Sequence, residues 1–471
     1  MRQQPVTRPQ VSGYRFHLRQ LENAVVRRDV RGLGDPLRSQ SRALAVGVVL
    51  AAVVLAGSAL FGLIRPKSHV GTDPIVVTKE SGAMYVRIND TLHPVLNLAS
   101  ARLIAGSPAQ PVVVSEKALA DLPRGPLVGI PGAPSAMPYN PKSTGHLWAV
   151  CDLATDGRLQ STIIVGQPDE SVGVHSLTGN EAILMRSADS TFLAFDGHRA
   201  RVDTANGAVT RALGIDGKAT RQVSAALLGT IQETAPIEVP KIEGAGQPGP
   251  GALRQYAVGT VVQLGEGPAT RYFVVLRSGV QEIGQLAADL VRFADSHGQS
   301  SIPRITPDTL GSIPPVKELN TAGFPQIAPS IIDQDVACST WGPNAPARLF
   351  VGAKPPVPGG ARPVELVQRD GNGPKVDAFY LPVGSGVFAK SAQSTGAGGD
   401  SLYYLSDTGV RYGVTDTDAA KMLGLTNPEA VPWSILGLLA AGPALGREEA
   451  FVAHDGLEAG GVTATIEPTP R

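Results

Sequence analysis

Residues 43–64, ALAVGVVLAAVVLAGSALFGLI, constrain this chain more than any other stretch. From Ala43 to Ile64 there is no charge, and Ser58 is the one weakly polar side chain. As an α-helix the segment spans roughly 33 Å, enough to cross a bilayer core. Arg38 and Arg42 precede it, and Arg65, Pro66 and Lys67 follow. A signal peptide has a shorter apolar region nearer the N-terminus, ending in a small-residue cleavage site. The run Ala56-Gly57-Ser58-Ala59 is the one feature that imitates this. A buried core helix would show polar positions on one face, and none occur. The expectation is a single membrane anchor.

Residues 1–42 hold nine Arg and no Lys against Glu22, Asp29 and Asp35, a net charge of +6. The whole chain sums to zero, so the remainder carries −6. The positive-inside bias then predicts a cytoplasmic N-terminus, with the roughly 400 residues after the anchor exported. Both cysteines, Cys151 and Cys338, fall on the exported side. In an oxidising compartment two cysteines most simply form one disulfide, the alternative being two buried free thiols. Glycine and proline together make up about a fifth of the chain, which suits a loop-rich, β-containing ectodomain better than a compact α/β enzyme. No excess of Lys or Arg lies beyond the N-terminus, so nothing points to nucleic acid.

The first eleven residues, with Pro5 and Pro9, are expected to lack fixed structure. From Ser12 onward, Tyr14, Leu18, Leu21 and Val25 recur at intervals of four, three and four, one face of a helix. Arg15, Arg19 and Arg27 fall largely on the other faces. Such a helix can lie on anionic headgroups, dock on a cytoplasmic partner, or simply orient the anchor. Asp35-Pro36 reads as an N-cap with proline at the first helical position, so the anchor helix starts before the membrane. Ala43, Gly47 and Ala51 form a small-xxx-small stripe, a weak packing signal in so Ala-rich a segment.

Beyond the anchor the chain repeats itself. Met84-Tyr85-Val86 leads through Asn89-Asp90 to Leu92-His93-Pro94-Val95 and then LNLASARLIAG. TFLAFDGHRARV is followed by ANGAVTRALGI, and RYFVVLRSGVQEI by GQLAADLVRF. Tyr403-Tyr404-Leu405 leads through Asp407-Thr408-Gly409 to Val410-Arg411-Tyr412 and then TDTDAAKMLGL. Each unit reads as strand, tight turn, strand and short amphipathic helix. ALADLPRGPLVG (118–129) also matches ILGLLAAGPALG (435–446), which makes the outer two repeats the closest pair. The cysteine segments echo one another too. Cys151 precedes Ile163-Ile164-Val165-Gly166, Cys338 precedes Leu349-Phe350-Val351-Gly352, and Trp148 and Trp341 each sit three residues from their cysteine.

The expected fold class is therefore α+β: a short cytoplasmic amphipathic helix, one transmembrane helix, and an elongated ectodomain with four ββα-type repeats around a mixed, β-containing central domain. The segments are 1–42 (cytoplasmic), 43–64 (transmembrane), 72–130 (repeat 1), 131–180 (central, first half), 181–242 (repeat 2), 252–320 (repeat 3), 321–398 (central, second half), 399–450 (repeat 4) and 451–471 (tail). Each repeat has too few apolar residues for its own core and should bury a face on a neighbour. Segment 243–251, EGAGQPGPG, reads as a flexible connector, and the closing ATIEPTPR as a frayed tail.

SGYRFHLRQLENAVVRRDVR, DPLRSQSRAL, LIRP, GAMYVRINDTLHPVLNLASARLIAG, PRGPLVGIPGAP, LSDTGVRYGV and VPWSILGLLAAGPALG together resemble the EccB family, core membrane components of the type VII (ESX) secretion systems of mycobacteria and related actinobacteria. The resemblance covers essentially the whole chain. It implies a single-pass inner-membrane protein with a repeat-containing periplasmic ectodomain and a central disulfide, which the pair Cys151 and Cys338 matches. It also implies assembly with an EccC-type FtsK-like ATPase, EccD and EccE into a ring, hexameric in that family.

Members of this family are sometimes labelled ATPases, a label that requires residues for nucleotide chemistry. A P-loop needs G-x-x-x-x-G-K-[ST]. Around Gly217-Lys218, Ala212 replaces the first glycine and Ala219 the hydroxyl. GAGQPGPG lacks the lysine, and its prolines remove amides a phosphate would need. Asp416 and Asp418 open like a calcium loop, but the third ligand and the following glycine are missing; capping of the next helix is the better reading. H-E-x-x-H and G-x-S-x-G do not occur, and the eight histidines are scattered. The sequence thus points to no catalytic residue, no metal site and no cofactor. It favours a structural subunit of a secretion channel over a nucleotide hydrolase of the same system or a cell-wall-binding, membrane-anchored module.

Overall fold

The computed structural model describes residues 7–28, 36–64, 71–143, 145–155, 157–343, 345–392 and 401–456. Asp35 and ATIEPTPR, both singled out above, lie outside them. The chain divides into two units, Met1–Val70 with Val113–Ala118, and Gly71–Val112 with Leu119–Arg471.

In the first unit, helix α1 covers Arg8–Arg27 and α2 covers Pro36–Ile64. Helix α1 starts four residues before Ser12, correcting the expectation that residues 8–11 are unstructured. Pro9 sits in the first turn, where its missing N–H leaves no bond unmade, and the Thr7 N–H donates to Gln10 Oε1 at 3.0 Å. Within α2, residues Gln40–Phe61 are long and apolar enough to cross a membrane and bury none of their surface within the chain, which removes the core-helix reading. Ser58 Oγ donates to the Val54 carbonyl at 2.7 Å, hiding its hydroxyl in the helix.

The second unit holds the repeats. Their hairpins are Met84–Ile88 with Thr91–Pro94, Ser190–Phe195 with His198–Val202, Arg271–Val275 with Val280–Ile283, and Leu402–Ser406 with Val410–Val414. They are followed by α3 (Leu98–Ala105), α4 (Gly207–Leu213), α5 (Gln285–Ala294) and α6 (Thr417–Leu423). The first two turns place Asn89-Asp90 (φ 46° and 65°) and Asp196-Gly197 (φ 47° and 74°) in the left-handed region that two-residue hairpin loops require.

Each repeat is larger than the ββα pattern suggests. An additional first strand pairs antiparallel with the hairpin: Ile75–Thr78, Glu181–Ser187, Val261–Leu264 and Gly386–Ala392 respectively. Gly386–Ala392 falls in the segment assigned above to the second central half, yet it is the first strand of repeat 4. After the helix the chain returns parallel to the hairpin's second strand, through Leu92 with Arg124, Arg199 with Glu233, Val280 with Pro315 and Arg411 with Ala441. The Gly-Pro segments noticed in repeats 1 and 4 are these return strands. Segment 243–251 is a hydrogen-bonded turn rather than a loose connector. Its Gly246 and Gly249 N–H groups donate to the carbonyls of Val258 and Tyr256, at 3.0 and 2.8 Å. A Cβ on Gly249 would lie 2.6 Å from the Leu253 carbonyl oxygen, so glycine serves close approach there.

The helices pair in two sets. Helix α3 packs on α6, joining repeats 1 and 4 around Val86, Leu103, Tyr404 and Leu423. Helix α4 packs on α5, joining repeats 2 and 3 around Leu193, Leu213, Val274 and Leu290. Ala453–His454, at the start of the expected tail, pairs with Leu127–Val128 of repeat 1.

Between the pairs lies a seven-stranded sheet, ordered Val364–Glu365, Ala378–Tyr380, Arg158–Val165, Trp148–Thr155, Val336–Gly342, Ala345–Gly352 and Val174–Ser176. The two cysteine-bearing hairpins meet at its centre, with Cys151 directly opposite Cys338 and Trp148 opposite Trp341. The cysteines are disulfide-bonded, their Cα atoms 4.0 Å apart. Strand alternation puts Ala149, Cys151, Ile164 and Phe350 on one face. Trp148, Val150 and Ile163 face the other way, where Ile183, Met185 and Phe192 of repeat 2 and Val387, Leu405 and Val431 of repeat 4 complete a common core.

The disulfide closes a loop across a sequence separation of 187. Replacing one partner, Cys151→Ser, should lower unfolding stability by a few kcal/mol, on the order expected for long closed loops. The oxidised wild type should migrate faster than the variant on a non-reducing gel. Equal mobility with and without reductant would contradict the bond.

Candidate functional site

Three buried carboxylates mark the places where the repeats and an edge loop meet the disulfide sheet. Glu429 opens the strand Glu429–Pro432, which runs parallel to Gly386–Ala392 in repeat 4. Its Oε2 accepts the N–H groups of Gly145 (2.8 Å) and His146 (3.2 Å) and the His146 Nδ1–H (2.9 Å). Its Oε1 accepts the indole N–H of Trp148 at 3.2 Å. A short side chain thus fastens repeat 4 to the first central strand through four donors.

Asp152, fully buried in the strand Trp148–Thr155, does the same for repeat 2. Its carboxylate accepts the Ser224 N–H (2.6 Å) and Oγ–H (2.8 Å). Ser224 is in turn the N-cap of the short helix Ala225–Thr230, accepting the Leu227 N–H at 3.0 Å. Arg221, also buried, directs its guanidinium to the backbone carbonyls of Asp152, Gln334 and Asp335, bridging both cysteine hairpins. Burial lowers the Arg221 pKa, while the charges of Asp152, Asp333 and Asp335 oppose that shift. Desolvation pushes the Asp152 carboxyl up to about 6 against the pull of its Ser224 hydrogen bonds.

Asp377 accepts the N–H groups of Ser161 (2.7 Å), Asp370 (3.0 Å) and Gly371 (2.8 Å), folding an edge loop onto the sheet. The one sequence signal for Asp152 is a lone acid in an otherwise apolar strand. Glu429 and Arg221 carry no signal, because their partners lie far away in the chain.

The residues singled out from sequence fall elsewhere. Tyr14, Leu18, Leu21 and Val25 line α1 with exposures of 69, 43, 63 and 79%. Val11, missed because the helix begins earlier than expected, extends the same stripe. Ala43 and Ile64 lie within α2, whose membrane-length span is Gln40–Phe61. Gly217-Lys218 stands in a turn after α4, not before a helix, and the Lys218 N–H is already given to the Ile215 carbonyl at 3.0 Å. The amides of 246–249 are likewise committed to Val258, Gly244 and Tyr256. Asp416 caps α6, its Oδ1 accepting the Asp418 and Ala419 N–H groups at 2.8 and 2.7 Å.

A recurrent aromatic position was not anticipated. Tyr85, Phe192, Phe273 and Tyr403 occupy matching places in the middle strand of their repeats. Arg199 lies 5.4 Å over Phe192, Arg271 5.2 Å over Phe273 and Arg411 5.8 Å over Tyr403. In these three repeats a guanidinium covers the ring that the sheet turns away from its helix. In repeat 4, Arg411 also lies 4.8 Å over the half-exposed Trp433.

The family described as "Type VII secretion system ESX-1, transport TM domain B" matches residues 3–459. The chain is 37% identical to the ESX-3 secretion system ATPase EccB3 of Mycobacterium tuberculosis over 493 residues, covering 96% of this chain and 90% of that protein. It is 32% identical to the ESX-1 secretion system ATPase EccB1 of the same species over 480 residues, covering 99% and 97%. Among solved structures it is similar to a chain of an intact ESX-5 inner membrane complex (TM-score 0.77, 32% identity, 99% of both chains). It is also similar to an EccB3 dimer from the ESX-3 core complex (TM-score 0.71, 33% identity, 81% of this chain and 100% of that one). With its α+β repeats, its N-terminal span and a family match over nearly its whole length, the chain belongs to the EccB family of type VII secretion proteins.

Proposed function

We propose that the chain is a structural and assembly subunit of a type VII inner-membrane secretion complex, supporting protein export across a mycobacterial-type envelope. One observation carries this reading: the likeness over 99% of both chains to a subunit within an intact ESX-5 inner membrane complex. Residues 43–64 cross the membrane once, with residues 1–42 cytoplasmic and the ectodomain periplasmic. The +6 charge before the span and the −6 after it support that orientation. Copies of the chain associate with one another, as the relative solved as a dimer suggests. Its other partners are an EccC-type FtsK-like ATPase, EccD and EccE. A single span cannot enclose a channel, so α2 packs on partner helices. The exposed stripe Tyr14, Leu18, Leu21 and Val25 of α1 is the cytoplasmic docking face.

Relatives carry "ATPase" in their names. The geometry offers this chain little for that chemistry, since the glycine-rich amides that could cradle a phosphate already bond to the chain's own carbonyls. Energy conversion then belongs to the FtsK-like partner.

Two results test these assignments. Replacing Leu18→Asp together with Leu21→Asp should reduce recovery of the partner subunits about tenfold or more, since each buried leucine contributes ~2 kcal/mol. Undiminished recovery would remove the docking face. Purified full-length protein and its Lys218→Ala variant should release phosphate from magnesium-ATP no faster than a heat-treated control. A wild-type rate above that control, lost on substitution, would restore the hydrolase.

A further inference from the structure

We infer that the seat of repeat 2 on the disulfide sheet is proton-sensitive, closing when Asp152 carries a proton and loosening when it ionises. Asp152 is fully buried, and both donors to its carboxylate belong to one residue, Ser224. No cation forms an ion pair with it among the described residues. Arg221, the nearest candidate, gives its N–H groups to the carbonyls of Asp152, Gln334 and Asp335. The charged groups acting around this seat are Arg221 from repeat 2, Asp377 just before the strand Ala378–Tyr380, and Asp333 and Asp335 ahead of the second cysteine hairpin. The Arg221 charge favours the ionised carboxylate and the Asp377 charge opposes it, while desolvation outweighs both. A carboxylate desolvated in this way, with two hydrogen bonds and no direct ion pair, is costly to ionise even with the Arg221 charge nearby.

The contrast with Glu429 sharpens the point. At the other seat the carboxylate accepts four hydrogen bonds from three residues, among them an imidazole and an indole. The two repeat pairs are therefore held to one sheet by chemically different fasteners. Repeats 2 and 3 share a core through α4 and α5, so loosening the Asp152 seat frees that pair as a body. The sign follows from linkage. The carboxyl titrates at about 6 when the seat is closed and at 3.8 when it is open to water. The closed state thus binds the proton more tightly. Closure is favoured progressively as pH falls below about 6, and the advantage is complete below 3.8.

The test is hydrogen exchange by mass spectrometry on the full chain in detergent, with rates corrected for intrinsic pH dependence. Peptides covering 148–155 and 221–230 are read against 285–294 as an internal reference. Protection at the seat should fall about tenfold from about pH 5 to about pH 7.5 and stay level in the reference. Asp152→Asn, which cannot ionise, should show no such slope. Ser224→Ala removes one donor to the carboxylate and keeps Asp152, so its transition should move to higher pH; that variant also decides the matter if the asparagine protein does not fold. A flat wild-type profile, an unchanged slope in Asp152→Asn, or an unmoved transition in Ser224→Ala would overturn the inference.

Discussion

A small sheet backed by one helix of seven to ten residues has too little apolar surface to close a core alone. Everything in the architecture of the repeat-bearing unit answers that shortage. Repeat 1 closes against repeat 4 and repeat 2 against repeat 3, in each case helix on helix. The sheet faces turned away from those helices in repeats 2 and 4 then close against the disulfide sheet. Removing any one repeat would strip the cover from its partner. The order of the chain follows as well: the outer repeats must return to each other, so the central sheet is assembled from two hairpins far apart in sequence, and the disulfide ties them where they meet.

Apolar cover alone does not specify which repeat sits where, since four related sheets present similar faces. The buried polar groups supply the distinction. Asp152 matches only a seat that brings two donors from a helix N-cap, and Glu429 only one that brings an indole, an imidazole and two free amides. A repeat docked in the wrong seat would leave a carboxylate buried without donors, at a cost of several kcal/mol. That makes these acids register devices. Arg102, another buried charge, likewise bonds the Leu423 carbonyl at 3.1 Å across the α3–α6 contact, so that junction too has a polar key.

The repeats, the membrane-length helix and the kinship of the cysteine segments were legible because each is written locally, in periodicity, turn chemistry or an uncharged run. The first and last strands of each repeat were not. Ile75–Thr78 and Val261–Leu264 are four residues long, and the return strands are two residues long or pair through isolated parallel bridges, so none of these carries a two-residue period long enough to register. EGAGQPGPG misled for a related reason. Glycine permits a close backbone approach as readily as it permits freedom, and composition does not tell them apart. The partners of the carboxylate seats could not be read, because they lie 72 and about 280 residues away.

The same seats bear on the name "ATPase" carried by the relatives. An unusual ionisable group is a mark of catalysis only if substrate can reach it. Asp152 and Asp377 are enclosed, and the hydrogen bonds they accept come from the chain's own amides and hydroxyls. The glycine-rich turns are similarly closed on themselves. What these side chains accomplish is mechanical. They fix the two pairs of marginal sheets against one central sheet, each pair at its own seat.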